Sequence, residues 1–315
     1  MAEEGWERRA LEALANDIVV ERRRARRWSI FFRLATLAVV AVIALGLLGI
    51  PGKHGAICLD RCTALVDVDG EIDRDGRASA EIVIGGLRAA LDHPGTRGVV
   101  LRINSPGGSP VQAGQIHDEV VRLRKLHPGT SIHAVVEEMA ASGGYYIAAA
   151  AEKVYVDKAS LVGSIGVIMD GFGFVGTLDK LGVERRLMTA GENKGFLDPF
   201  SPLNPQEQAY WQQVLDVTHR QFIEQVKAGR GSRLNSEKSD LLFSGLVWSG
   251  EQARELGLID GLGSPGYVAR EVIGAEQIVN YTEKPTPFEK LARRMESRLD
   301  GAALTSDLFR TLPGW

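Results

Sequence analysis

Residues 64–281 are predicted to form a layered α/β fold, and three observations carry that expectation. Short apolar runs are bounded by Gly, Pro, Asn or Asp. Amphipathic stretches lie between them, and the two kinds of segment alternate along the chain. Residues 64–68 (ALVDV) read as a buried strand, closed by the polar turn containing Asp73 and Gly76. Over 79–91, Ile82, Val83, Leu87, Ala90 and Leu91 recur at helical spacing, and Pro94 with Gly95 stops the helix. Residues 98–103 (GVVLRI) are a second strand. A helix over 111–126, a strand over 132–136, a helix over 142–151 and a strand over 153–156 follow. Further strands are expected at 166–169 and 183–188, with a helix at 174–181 between them. The longest helix should run over 205–228, with Asn204 as its cap and Pro205 at its first position. Its amphipathic pattern through Trp211, Leu215, Phe222 and Val226 reads as core packing.

Composition narrows the function classes. With 44% hydrophobic and 24% charged residues in 315, the chain is globular, and its net charge of -3 gives no footing for nucleic acid. The charge is uneven, however. Arg22, Arg23, Arg24, Arg26 and Arg27 crowd together just before a run, 34–50, that holds no charged residue. Roughly 20 apolar residues span a bilayer core. The run is longer than the apolar part of a cleaved signal peptide and lacks its cleavage site, and a core helix would not be apolar all round. The expectation is a basic cytoplasmic segment over 1–28 and an uncleaved transmembrane anchor over 29–50. Beyond these come an extracytoplasmic domain over 51–281 and a peripheral tail over 282–315, with an amphipathic helix at 288–299. Cys58 and Cys62 are the two cysteines. A disulfide is permitted on that side of the membrane, but it would close only a tiny loop, so two free thiols stay equally open.

Three loops carry possible chemistry. Residues 104–109 (NSPGGS) follow a strand, where paired glycines let a ligand approach the backbone or simply make a tight turn. Residues 141–146 (ASGGYY) place Ser142 at a helix N-terminus, as a nucleophile beside unpaired N–H groups or as a plain cap. Residues 189–195 (TAGENKG) present Lys194, which on its own reads as solvated surface charge.

Together, NSPGG, SGGYY, the GSIGV of residues 163–167 and the GENKG loop resemble the signal peptide peptidase A (protease IV) family of serine proteases in its short single-repeat bacterial form. The resemblance runs from about residue 64 to 272. It implies the Clp protease/crotonase-like spiral fold of repeated strand-helix units, with one N-terminal transmembrane helix. It makes Ser142 the nucleophile, Lys194 the general base and Ser164 a hydroxyl that orients the lysine. The oxyanion donors would be the Gly143 N–H and an N–H of Gly107 or Gly108. Such a lysine must act as a neutral amine, and burial favours that form of a group whose free pKa is about 10.4. No metal or organic cofactor is implied. The expected substrates are remnant signal peptides and other membrane-associated peptides at a bacterial inner membrane, and the expected assembly is a homo-oligomer with active sites near subunit interfaces. Leu246 departs from the pattern, since relatives often carry a basic residue there. A Ser-His-Asp triad is disfavoured because no histidine lies between Ser142 and Lys194. The other classes are a crotonase-like acyl-handling enzyme and an inactive protease-like membrane scaffold.

Overall fold

The computed structural model describes residues 21–24, 26–42, 58 and 60–282. The chain divides into two units, Met1–His54 with Lys284–Trp315, and Gly55–Glu283. In the first unit residues 26–42 are helical (α1), and Phe31, Phe32, Leu37 and Val42 lie exposed. None of the described helices is long and apolar enough to cross a membrane. Residues 43–50 of the expected anchor, and the helix expected at 288–299, lie outside the described residues.

The second unit alternates as its sequence pattern requires. Its first half runs β1 (Cys62–Asp69), α2 (Ala80–Asp92), β2 (Thr96–Ser105), α3 (Pro110–Leu126), β3 (Ser131–Ala141), α4 (Gly143–Ala149), β4 (Val154–Val156) and β5 (Leu161–Gly163). Then follow α5 (Val175–Leu181), α6 (Pro205–Arg230), α7 (Ser239–Leu242), β6 (Val247–Ser249), α8 (Gly250–Glu255), β7 (Gly261–Leu262) and β8 (Ile278–Asn280). Helix starts follow local chemistry. The hydroxyls of Ser79 and Ser109 accept the backbone N–H of Ile82 and Gln112, and the Asn204 side chain accepts that of Gln206 with Pro205 behind it.

The strands form one sheet of order β6-β5-β3-β2-β1-β8, from which β4 and β7 branch beside β3. Every pairing is parallel except β5 with β6. The branch matters for function. The first half of β3 pairs with β4 through Ala134–Val136, and the second half pairs with β5 through Met139–Ala141. The chain therefore changes partner just before Ser142. Parallel strands buried on both faces are near-continuous apolar runs, as β2 and β3 are. On one face Val66, Leu101 and Val136 pack with Leu87, Ile116, Val120 and Ile147 of the helices. On the other, Leu65, Val100, Val135 and Tyr155 pack with Val268.

Two expected strands do not form. Residues 166–169 and 183–188 carry no strand, and the strand in this stretch falls instead at Leu161–Gly163. A strand needs a neighbour for its backbone groups. Residues 161–163 have Met139–Ala141 on one side and Val247–Ser249 on the other, whereas residues 166–169 and 183–188 pair with no strand among the described residues. Cys58 and Cys62 are joined in a disulfide, which settles the question their spacing left open.

Candidate active site

The site grows from three places where the backbone adopts a conformation that side chains resist. Among the described residues, positive φ at a non-glycine occurs at Ser142 (51°), Ser164 (49°) and Leu197 (52°). Such residues cost on the order of 1–3 kcal/mol and persist where their surroundings hold them, most often at working sites. Ser142 and Ser164 fall in motifs that the sequence singles out, and Leu197 lies two residues beyond the 189–195 loop.

Ser142 sits between β3 and α4 with φ 51° and ψ −121°, and its side chain makes no capping bond to the helix. The plain helix-cap reading is thereby removed. Its backbone N–H donates to the Gly163 carbonyl at 2.9 Å, and its carbonyl accepts from the Tyr146 N–H at 2.9 Å. The residue is left half-buried on a sharp strand-to-helix turn. Beneath it, buried Tyr145 fixes α4 by donating its hydroxyl to the Leu258 carbonyl at 2.7 Å.

The glycine loop after β2 packs directly against this turn. A Cβ on Gly107, whose φ is 106°, would lie 2.8 Å from Ser142 Cβ and 2.9 Å from the Gly143 nitrogen, so only glycine fits. The two glycines differ in what their N–H groups do. Gly107 donates to Ser105 Oγ at 3.2 Å, whereas the Gly108 N–H has no hydrogen-bond partner among the described residues. The Gly143 N–H opens α4 and, like the first N–H of any helix, lacks an intrahelical acceptor. Two backbone donors, at positions 108 and 143, therefore flank the serine turn.

Ser164 is held by its own N–H, which donates to the Leu246 carbonyl at 2.7 Å, while the neighbouring Ile165 carbonyl meets His219 Nε2 at 3.0 Å. The departure at position 246 thus costs nothing here, because the backbone of Leu246 makes the contact and its side chain is exposed.

Lys194 stands elsewhere. Its side chain is exposed, and no hydrogen bond joins it to Ser142 among the described residues. Its loop is fastened to the N-terminal part of α6. Leu197 donates its N–H to Glu207 Oε2 at 3.2 Å, and the Phe196 ring lies 5.5 Å from Tyr210 and 6.2 Å from Trp211. Asp198 binds Ser201 and Arg185, whose contacts, that of Ser201 first, hold its carboxyl below the usual carboxylate range. Along α6, Glu207 and His219 are separated by about 18 Å at 1.5 Å per residue. The Ser164 loop and the lysine loop of one chain thus hang from different levels of the same helix. Sequence reasoning missed His219 and Glu207 as parts of this framework. The available signal for His219 was a polar residue on the same helical stripe as Phe222 and Val226.

Among the described residues one group of metal-type donors converges, Cys58, Cys62 and His93, and its two sulfurs are bonded to each other.

Known proteins resemble this chain in sequence. Residues 124–277, which include Ser142, Ser164 and Lys194, match the family model described as Peptidase family S49. The chain is 33% identical over 213 residues to Protease 4 of Haemophilus influenzae, covering 68% of this chain and 33% of that protein. It is 28% identical over 215 residues to the chloroplastic serine protease SPPA of Arabidopsis thaliana, covering 68% and 31%. It is also 44% identical over 176 residues to a protein named Na(+)/H(+) antiporter NhaA in Brucella abortus, covering 56% of this chain and 24% of that one. The antiporter name belongs to a protein most of whose length lies outside the match. In all three cases the chain spans a third or less of the relative. The mostly parallel sheet agrees with the Clp protease/crotonase-like architecture that the sequence resemblance implies.

Proposed function

We propose, from the match of residues 124–277 to the Peptidase family S49 model, that the chain is a membrane-anchored serine endopeptidase working through Ser142 and Lys194. The observation that carries the reading is the coincidence of strained backbone at Ser142, at Ser164 and beside Lys194, in a chain whose other described non-glycine residues avoid that region. In this reading the uncharged Lys194 amine takes the Ser142 proton as Oγ attacks a peptide carbonyl. Ser164 orients the amine. The tetrahedral oxyanion is met by the N–H groups of Gly143 and Gly108, since that of Gly107 is already given to Ser105. The lysine then passes its proton to the leaving amine, and water activated by the same base hydrolyses the acyl-enzyme.

The separation along α6 supports a shared site, in which the lysine loop of one copy reaches the serine of a neighbour in a homo-oligomer. The apolar, exposed side chains of α1 beyond Arg27, which closes the cluster of five arginines, support an anchor over 29–50 with the catalytic unit outside the cytosol. A bilayer-bound groove suits remnant signal peptides and other membrane-associated peptides as substrates. The test is a serine-reactive fluorophosphonate applied to the full chain in detergent, followed by peptide mapping and incubation with synthetic signal peptides. Label confined to Ser142 together with peptide cleavage is expected. An unlabelled chain would overturn the reading in favour of a protease-like scaffold.

A further inference from the structure

Ser164 occupies a backbone conformation that a serine does not hold unaided. Residues 163–165 are fixed at three successive points. The Gly163 carbonyl accepts the Ser142 N–H at 2.9 Å, the Ser164 N–H donates to the Leu246 carbonyl at 2.7 Å, and the Ile165 carbonyl meets His219 Nε2 at 3.0 Å. The first two bonds run between backbone groups and would survive any change of side chain. The third depends on one imidazole. A carbonyl only accepts, so Nε2 must carry the proton, and it does so in one neutral tautomer and in the charged form alike. The side chain of Ile165 is fully buried, which leaves its carbonyl little freedom to find another donor.

We propose that His219 is a positioning residue for catalysis: from α6 it pins the Ile165 carbonyl and so holds Ser164 where its hydroxyl meets the catalytic lysine. The inference rests on the Ser142, Ser164 and Lys194 reading above. It gives α6 a second task, because the helix that carries the lysine loop through Glu207 also fixes the hydroxyl that receives a lysine.

The test uses the full chain in detergent with a fluorogenic signal-peptide substrate, comparing His219→Ala and His219→Gln. Misplacing a group that aligns the base lowers turnover rather than binding. His219→Ala should therefore lose about 10- to 100-fold in kcat, with KM within about twofold of the wild type. His219→Gln, whose amide N–H can still reach the carbonyl, should recover most of that loss at an unfolding midpoint near that of His219→Ala. A His219→Ala enzyme with wild-type kcat would overturn the proposal. So would a glutamine variant as slow as the alanine variant, or losses that simply follow lowered unfolding midpoints. Failure of the underlying reading looks different, because the wild-type chain itself would then take no fluorophosphonate at Ser142.

Discussion

The body of the Gly55–Glu283 unit and the stretch from 166 to about 221 both hold many apolar residues, yet they treat them in opposite ways. In the body, Val66, Leu101, Ile116 and Ile147 are fully buried between sheet and helices. In the other stretch, Ile168, Phe172 and Met188 are 86%, 80% and 95% exposed, and residues 166–169 and 183–188 find no strand partner among the described residues. Hydrophobic sequence is therefore not the same thing as core. The body satisfies its apolar groups within one chain, whereas the arm holds itself together locally, with Phe174 against Phe200 and Arg185 against Asp198, and leaves the rest outward. Large exposed apolar patches mark sites of association, and the outward Ile168, Phe172 and Met188 are the side chains on which to test for one.

The largest effect expected from this contrast is on activity. Ser142→Ala or Lys194→Ala should each abolish peptide cleavage, by about a thousandfold or more, with folding intact. If the arm delivers its lysine to a neighbour, co-assembling the two inactive variants should restore activity, measured on the mixed preparation. Two dead variants that stay dead together would break the shared-site part of the comparison. Next in size, Met188→Asp and Ile168→Asp should shift the chain to a smaller species in sedimentation and remove activity, while unchanged denaturation of the body would show that the arm alone was touched.

A third contrast separates the regions by stability. Leu87→Ala, which empties a fully buried position on α2, should lose about 2–5 kcal/mol in urea unfolding. Met188→Ala in the dissociated chain should stay within about 0.5 kcal/mol.

The smallest expected effect is a pH dependence confined to the body. Glu119 is drawn down from 4.5 to about 2, first by its hydrogen bond from Arg122 and then by Arg88. A carboxylate with a depressed folded-state pKa gives its full stabilisation above its ordinary value and loses it as pH falls toward the folded one. Urea midpoints measured between about pH 5 and 2 should therefore fall with acid, and Glu119→Gln should flatten that slope.

The same division explains what was legible in the sequence. Strands β1 to β4 and helices α2 to α4 could be read because their side chains answer to partners in the same chain, and periodicity records that directly. Residues 183–188 could not, because Val183, Leu187 and Met188 interleaved with Glu184, Arg185 and Arg186 can suggest a strand without saying which strand would pair with it. The glycines and serines of the site were visible as types. Which glycine keeps a free N–H depended on the Ser105 hydroxyl, two residues before Gly107, and no spacing rule records that choice. His219 stayed hidden because its partner is a backbone carbonyl, which has no letter in the sequence.

One helix, α6, grips the lysine loop near its start, the Ser164 loop near its middle and the core at Phe222 and Val226. A helix advances about 1.5 Å and turns about 100° with each residue. A single residue gained or lost between Glu207 and His219 would swing the lysine loop to another side of the molecule without altering any catalytic group. On the proposed reading of the site, the length of that interval matters as much as the side chains it separates, and it should resist insertion where an ordinary surface helix would accept it.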